Sequence, residues 1–343
     1  MKKSEILLLR LANLAEKFAD LPMVGRTHNV PAQVTTLGKR FATWGEELLF
    51  STAHLEELIA RLPMRGIKGA IGTSLDQIEL LGDAGREIDQ ELFNTLGFNS
   101  SLISTSQVYP RSIDFEVVST LAQIAAAPST IATNIRLMSG FGLLSEGFGK
   151  GQVGSSAMPH KVNPRLSERV NSLEVILKGF VTMAAQISGS QWNEGDVSCS
   201  AVRRVLLPDS FHALDGIIDT TISILDNLQI HQSEIESELA THLPLMMSTK
   251  ILMLAVKAGV GRERAHELIK MYARNVNGSK DSFMDDITSD PELKVNKKDL
   301  EEFMQNPSEL SGDAATQARK VALIIRQRNK GGDSIGYAPQ IKN

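Results

Sequence analysis

The feature that most constrains the fold of this chain is a series of long helical patterns with almost no strand-like alternation. Several patterns exceed the roughly 8–20 residues typical of globular helices. One runs from Ile113 to about Gly147, with a kink expected at Pro128, and its apolar residues spread around the helix instead of forming one stripe. A helix that is apolar on most sides must be covered on most sides. The sequence therefore predicts an all-α fold, an elongated bundle of long helices.

The remaining long patterns are bounded by proline, glycine and polar residues. An amphipathic helix opens the chain, a second is expected to start at Pro31 and to continue until Pro63, and a further long helix begins near Cys199 and ends near Asn227. About five long helices in one chain can hardly cover one another fully at that length. We therefore expect other subunits to complete the bundle.

The second part of the chain has a different character. From about His231 the helical patterns shorten and charge rises. We expect a central long-helix bundle at residues 1–230, a smaller C-terminal helical domain at 231–330 and a surface tail at 331–343.

Composition excludes several classes of protein. The formal net charge of the 343 residues is -4, which gives no general attraction to nucleic acid or an anionic membrane. Charged residues interrupt the apolar run near the N-terminus, unlike in a signal peptide, and no segment reaches the ~18 uninterrupted apolar residues of a membrane span. A single cysteine allows no internal disulfide. We expect a cytoplasmic protein that binds neither nucleic acid nor membranes.

One unusual segment is GSSAMPHKVNP, residues 154–164. Glycines precede Ser155 and Ser156, and two prolines follow, a pattern typical of a mobile loop on a stiff base. A serine acts as a proton acceptor only where its alkoxide is stabilised, and Lys161 could supply the cation. A flexible linker with a solvated lysine explains the same residues, and the spacing alone favours it.

Two other segments contain residues suited to chemistry. His28 lies in a polar turn that we expect directly before a helix, where an exposed imidazole can be a general acid or base; a surface residue or helix cap is the simpler interpretation. Ser200, Arg203 and Arg204 fall at the beginning of a helix, where hydroxyl, guanidinium and N–H groups can bind a phosphate, although a solvated helix start fits equally well. The histidines show no paired spacing with carboxylates, so we predict no metal.

These segments together resemble a known family. The stretch GSSAMPHKVNP resembles the signature of the fumarase/aspartase superfamily, lyases that eliminate fumarate from a substituted succinate. Within that superfamily the chain is similar to the adenylosuccinate lyases in five segments that occur in the family's order, RTHNVPAQVTTLGKRFATWGEELL, RGIKGAIGTS, TSQVYPRSIDFEVVSTLA, SSAMPHKVNPRLSER and SQWNEGDVSCSAVRRVLLPD. The resemblance covers residues 21 to about 216 and, more loosely, the segment beginning PLMMSTKILMLAVKAG.

The resemblance implies a reaction and its residues. It implies elimination of fumarate from adenylosuccinate, giving AMP, and from succinylaminoimidazole carboxamide ribotide in purine biosynthesis, with no cofactor. Ser155 would be the base, His28 the acid, Glu168 the group that orients this histidine, and Lys161 a residue at the carboxylate end of the substrate. The residues that would bind the nucleotide substrates are Thr27, Gln107, Ser156, Asn163, Arg169, Ser200 and Arg204.

The resemblance also implies an assembly, a homotetramer in which each active site draws segments from three subunits. The family has an N-terminal domain ahead of the segment that matches Met1. We therefore expect either the catalytic lyase, as a truncated chain or completed by a separate N-terminal polypeptide, or a non-catalytic helical assembly protein of the same lineage. Another superfamily lyase or a cycloisomerase is a further alternative. Asn29-Val30, Gly195 and Thr249 depart from the residues usual in the family.

Overall fold

The computed structural model describes residues 1–147, 158, 162–274, 280–329, 336–339 and 341. Most of these residues are helical, which confirms the predicted all-α class. The α-helices within them are α1 (Lys2–Lys17), α2 (Leu37–Arg61), α3 (Leu75–Leu81), α4 (Ala84–Leu96), α5 (Ser112–Gly140), α6 (Arg165–Ile187), α7 (Ser200–Asn227), α8 (Gln232–Met246), α9 (Ser248–Lys257), α10 (Arg262–Arg274), α11 (Lys280–Ser289), α12 (Lys297–Gln305) and α13 (Ala314–Arg328).

In the described residues, two small antiparallel sheets accompany the helices. Strands β1 (Pro22–Thr27) and β2 (Val30–Thr36) form a hairpin, and β3 (Leu144–Ser145) pairs with β4 (Gln229–Ile230).

The hairpin contradicts the prediction of a helix starting at Pro31. Residues 31–36 belong to β2, and α2 begins only at Leu37. The segment VPAQVTT is rich in β-branched residues, and Pro31 pairs with Arg26 beside an irregularity in the strand register, a position that tolerates a residue without an N–H. The hydroxyl of Thr36 then accepts a hydrogen bond from the Lys39 N–H, so a threonine cap rather than the proline starts the helix.

The long helices share one apolar core. Buried residues of α1, α2, α5, α6, α7 and α13 form a continuous cluster. Helix α5 runs through it and buries Ile124, Ile131 and Ile135 completely, as the apolar pattern predicts, although it ends at Gly140 and not near Gly147. Helix α13 packs against α1 and α2, so the last helix of the chain contributes to the long-helix core.

The short helices form a second core. It is built from residues of α8 to α12 and is closed on one side by Val24 and Val34 of the hairpin. The stretch 232–257 is long and apolar enough to cross a membrane by length and composition. In the structure it divides at Met247 into α8 and α9, which supply Leu243 and Ile251 to the second core.

Candidate functional site

The candidate residues within the described part of the chain lie at the two ends of α5. This helix has 29 residues, which at about 1.5 Å per residue separates its ends by about 40 Å. We call the end near Ser112 the loop end, comprising residues 105–114 and 190–204. The end near Phe141 is the hairpin end, comprising residues 22–36, 141–147 and 162–171.

His28 occupies the tip of the hairpin. His28 and Asn29 both have positive φ angles, 52° and 61°, as the two central residues of a tight hairpin turn require. Both residues and the adjacent Thr27 are exposed. The histidine is therefore presented by a strand hairpin rather than by a turn directly before a helix.

Arg26 anchors the hairpin to the rest of the molecule. Its Nη2 lies 2.5 Å from Oε1 of Glu238 on α8, and its guanidinium stacks over the ring of Phe141 at 4.3 Å. Both members of the ion pair are largely shielded from solvent. These contacts hold the strand that leads to His28 against α8 and the end of α5.

Glu146 caps the helix that carries Glu168 and Arg169. Its buried carboxylate accepts hydrogen bonds from the N–H groups of Leu166 (3.0 Å) and Ser167 (2.7 Å), which would otherwise lack partners in the first turn of α6. Glu168 and Arg169 themselves point to solvent.

Asn171 fixes the position of this helix along α5. Its side-chain amide donates to the carbonyl (3.1 Å) and the hydroxyl (3.0 Å) of Ser129. The half-buried Asn163 lies two residues before this helix, ahead of Pro164. These residues therefore share the hairpin end with His28, but no hydrogen bond between Glu168 and His28 occurs in the part of the chain that the structure describes. Ser155, Ser156 and Lys161 lie outside the described residues.

A backbone hydrogen bond fixes the position of Gln107 at the loop end. Its backbone N–H donates to the Glu194 carbonyl at 2.8 Å, and Gln191 Nε2 donates to the Ser106 hydroxyl at 2.8 Å. A Cβ at Gly195 would lie 2.7 Å from Oε1 of Gln107. The departure at Gly195 thus has a local reason, because a side chain there would displace the glutamine.

A buried ionic cluster fixes the start of α7. Asp114 Oδ1 accepts from the Tyr109 hydroxyl at 2.6 Å, and Asp114 Oδ2 accepts from Arg203 Nε at 2.7 Å. Arg203 also donates to the Tyr109 hydroxyl, and Arg111 packs on the Tyr109 ring at 4.7 Å. Burial, together with the neighbouring carboxylate of Asp114, raises the pKa of Tyr109.

The cluster separates the roles of the two adjacent arginines. Arg203 is bound to Asp114 within the chain, whereas Arg204 is exposed. Ser200 is the first residue of α7 and is half-buried. The structure therefore leaves Ser200 and Arg204 accessible at a helix N-terminus, where an anion can bind.

Sequence reasoning missed the residues that support these sites. Asp114 and Glu146 are nearly fully buried carboxylates, and each organises a helix start through contacts with residues far along the chain. An acidic residue at the beginning of a strongly apolar pattern is a signal that could have identified Asp114. Glu146 gave no comparable signal in the sequence.

Comparison with known proteins identifies relatives along most of the chain. A family model described as "Lyase" matches residues 1–177, and one described as "Adenylosuccinate lyase C-terminus" matches residues 244–321. The adenylosuccinate lyases of Saccharomyces cerevisiae and Archaeoglobus fulgidus are each 33% identical, over 91% and 92% of this chain and 66% and 71% of their own length. That of Schistosoma mansoni is 35% identical over 82% of this chain and 61% of its own. The chain thus spans less than two thirds of the yeast and Schistosoma relatives.

Solved structures share the fold. A 3-carboxy-cis,cis-muconate lactonizing enzyme from Pseudomonas putida superimposes with a TM-score of 0.81 at 21% identity, covering 95% of this chain and 71% of its own. A fumarate lyase from Mesorhizobium sp. BNC1 superimposes with a TM-score of 0.79 at 22% identity, covering 93% and 71%. At these identities the likeness concerns the fold alone.

Proposed function

Because the chain belongs to the adenylosuccinate lyase family, we propose that it eliminates fumarate from adenylosuccinate, giving AMP, and from succinylaminoimidazole carboxamide ribotide. The observation that carries this proposal is the 33% identity to the yeast enzyme over 91% of the chain. The loop end supports it, since the half-buried Ser200 and the exposed Arg204 lie at the N-terminus of α7, a chemistry suited to a nucleotide phosphate.

The elimination divides between a base and an acid. Ser155 takes the proton next to the substrate carboxylate, the electron pair forms the C=C bond of fumarate, and the C–N bond breaks as His28 protonates the departing nitrogen. Lys161 and Asn163 stabilise the negative charge that develops on the carboxylate. The assignments of Ser155 and Lys161 rest on the family resemblance, and the exposed hairpin tip supports that of His28.

Substrate binding involves the other end of α5. At this loop end, Arg204 and Ser200 bind the phosphate, and Gln107 contacts the substrate near Gly195. The rest of the pocket is lined by Thr27, Ser156 and Arg169. Glu168 orients the histidine.

We further propose that these residues meet only between subunits of a homotetramer. About 40 Å separates the ends of α5, so one chain cannot bring His28 and Arg204 to one small substrate. Large apolar side chains on the long helices are exposed in the single chain and suit an interface, namely Phe50 (76%), Val175 (66%), Ile176 (50%) and Phe211 (53%). We also propose a cytoplasmic location.

An apolar groove supports a second partner. It has a volume of about 440 Å³ and lies beside Met1, between α2, α5 and α7. Its apolar lining is Leu55, Leu58, Ile59, Leu62, Val117, Leu121, Ile124, Phe211, Leu214 and Ile218. We propose that an apolar helical segment corresponding to the N-terminal region of the relatives docks here.

The first experiment is to incubate the purified chain with adenylosuccinate and to measure AMP and fumarate. Both products are expected, either from the chain alone or after addition of the N-terminal domain of the Archaeoglobus relative. Ser155→Ala should abolish turnover and leave assembly intact. No product in either condition would favour a non-catalytic assembly protein. Product from argininosuccinate or carboxymuconate alone would identify another superfamily activity.

Subunit sharing is tested by mixing two impaired variants and assaying at a substrate concentration well below KM. His28→Asn chains should be nearly inactive and Arg204→Gln chains weak under this condition, and hybrids reassembled from both should be more active than either because some sites then receive two intact segments. A mixture no more active than its components would contradict the shared site.

A further inference from the structure

A small cavity lies between the hairpin, α2 and α5. Its volume is about 160 Å³, against the roughly 30 Å³ that one water occupies in the liquid. Four polar side chains line it, Arg26, Asn29, Arg40 and Asn134, and the rest of the wall is apolar. Two arginines therefore line one small, partly open pocket.

The charges around this cavity do not cancel. Arg26 is paired with Glu238, which is not among the residues lining the cavity. Arg40 makes one hydrogen bond in the described part of the chain, from Nη2 to the Val24 carbonyl at 3.4 Å. Burial lowers the pKa of Arg40; the nearby carboxylate of Glu238 opposes this shift, and Arg26 adds to it. One positive charge thus remains without a hydrogen-bonded carboxylate.

A shielded charge of this kind is costly unless it is compensated. Buried guanidinium groups are normally paired and hydrogen-bonded, and the planar fork of an arginine matches a carboxylate or phosphate through two parallel N–H···O bonds. Asn134 donates one amide hydrogen to the Thr130 carbonyl at 2.9 Å, which leaves its second amide hydrogen for a ligand. The donors surround a space too small for a nucleotide but sufficient for a compact anion.

We propose that the cavity binds a small oxyanion, a phosphate or carboxylate group, held by the guanidinium of Arg40 with Arg26 and Asn134. The bound anion connects three elements, because Arg26 belongs to β1, Arg40 to α2 and Asn134 to α5. It would stiffen the hairpin whose tip carries His28. The site does not depend on the proposed lyase activity.

The test is isothermal titration calorimetry on the full chain in a buffer free of phosphate and carboxylates. Inorganic phosphate and acetate are titrated separately, so that the result distinguishes the two sources of oxyanion. We expect saturable binding of at least one of them, one per chain. Arg40→Gln should weaken it by at least about tenfold, the loss of a hydrogen bond to a charged group. Glu238→Gln should strengthen binding, because it removes the negative charge behind Arg26 while keeping a hydrogen-bond acceptor.

Arg136→Gln is the matched control. Arg136 is an exposed cation on α5 that donates to the Asn171 side chain at 3.0 Å and does not line the cavity, so its loss should leave affinity unchanged. Absence of saturable binding of both anions would overturn the proposal. So would an Arg40→Gln protein that binds as tightly as the original. If that variant does not fold, Glu238→Gln decides, since unchanged or weaker binding there contradicts the charge balance on which the site depends.

Discussion

Two charged side chains, Asp114 at the loop end of α5 and Arg40 at the hairpin end, differ in whether the chain itself supplies a hydrogen-bonded partner of opposite charge. At the loop end, Asp114 is 2% exposed and receives hydrogen bonds from Tyr109 and Arg203, so this carboxylate finds its partners within the chain. At the hairpin end, His28 lies exposed on a turn and the guanidinium of Arg40 lacks a hydrogen-bonded carboxylate among the described residues. The comparison indicates that folding alone supplies the partners of Asp114, whereas Arg40 is left available to a group from outside the chain.

The largest expected effect is a loss of activity without a loss of stability when His28 at the hairpin end is replaced. His28→Asn should lower kcat of the active assembly about 10²- to 10⁴-fold, because the proton donor is lost. Its stability should stay within about 0.5 kcal/mol, since asparagine adopts the left-handed conformation readily. Steady-state kinetics and urea unfolding measure the two effects. His28→Val is the control that should lose stability as well, and full activity of His28→Asn would contradict the acid assignment.

The next effect concerns Asp114 in the buried ionic cluster at the loop end. Asp114→Asn should destabilise the fold by about 3 kcal/mol, because removing one partner leaves shielded arginines without compensation. Urea unfolding gives the change in free energy. Asp226→Asn, which breaks the more exposed pair with Arg10, should cost less than about 1 kcal/mol. Equal losses in both variants would remove the distinction between the cluster and an ordinary surface pair.

A smaller effect distinguishes the two neighbouring arginines. Arg204→Gln should raise KM for adenylosuccinate about tenfold with little loss of stability, since the exposed Arg204 is proposed to bind phosphate. Arg203→Gln should instead lower the free energy of unfolding, because Arg203 is bound to Asp114. Kinetics combined with urea unfolding test both variants. If Arg203→Gln raised KM and Arg204→Gln lowered the free energy of unfolding, the phosphate would have to be assigned to Arg203 instead.

The smallest effect depends on pH, in the segment next to the loop end. Burial opposes ionisation of Asp89, but hydrogen bonds from Lys68 and from the Ile67 N–H outweigh it and lower the pKa of Asp89. Because the folded pKa lies below the unfolded value of about 3.9, this contribution is present above pH ~4 and is lost as pH falls further. Asp89→Asn should therefore be less stable than the original chain at pH 6, by no more than about 1 kcal/mol.

The measurement is urea unfolding of both proteins from pH 6 to pH 3. The difference in free energy of unfolding should shrink toward zero at the acid end. A difference that grows with acid would contradict the depressed pKa.

Much of the fold could be predicted from the sequence because it depends on local periodicity. Helices α1, α6 and α7 begin and end close to where their patterns indicate, and the all-round apolar character of α5 matches its central position. At the hairpin the sequence predicts a helix, because Pro31 precedes a helix-like pattern. Its β-branched residues and the contacts of Val24 and Val34 with the second core favour strands instead.

What the sequence determined by itself is the helical class and, through short motifs, the identity of the candidate residues, because both depend on residue types within one local segment. Only the tertiary structure decided where those residues lie. It placed His28 and Arg204 at opposite ends of one helix, bound Arg203 to Asp114 and left Arg40 facing a cavity. The physical reason is that burial and charge pairing join residues far apart in the chain, such as Arg26 with Glu238, and no local pattern records such pairs.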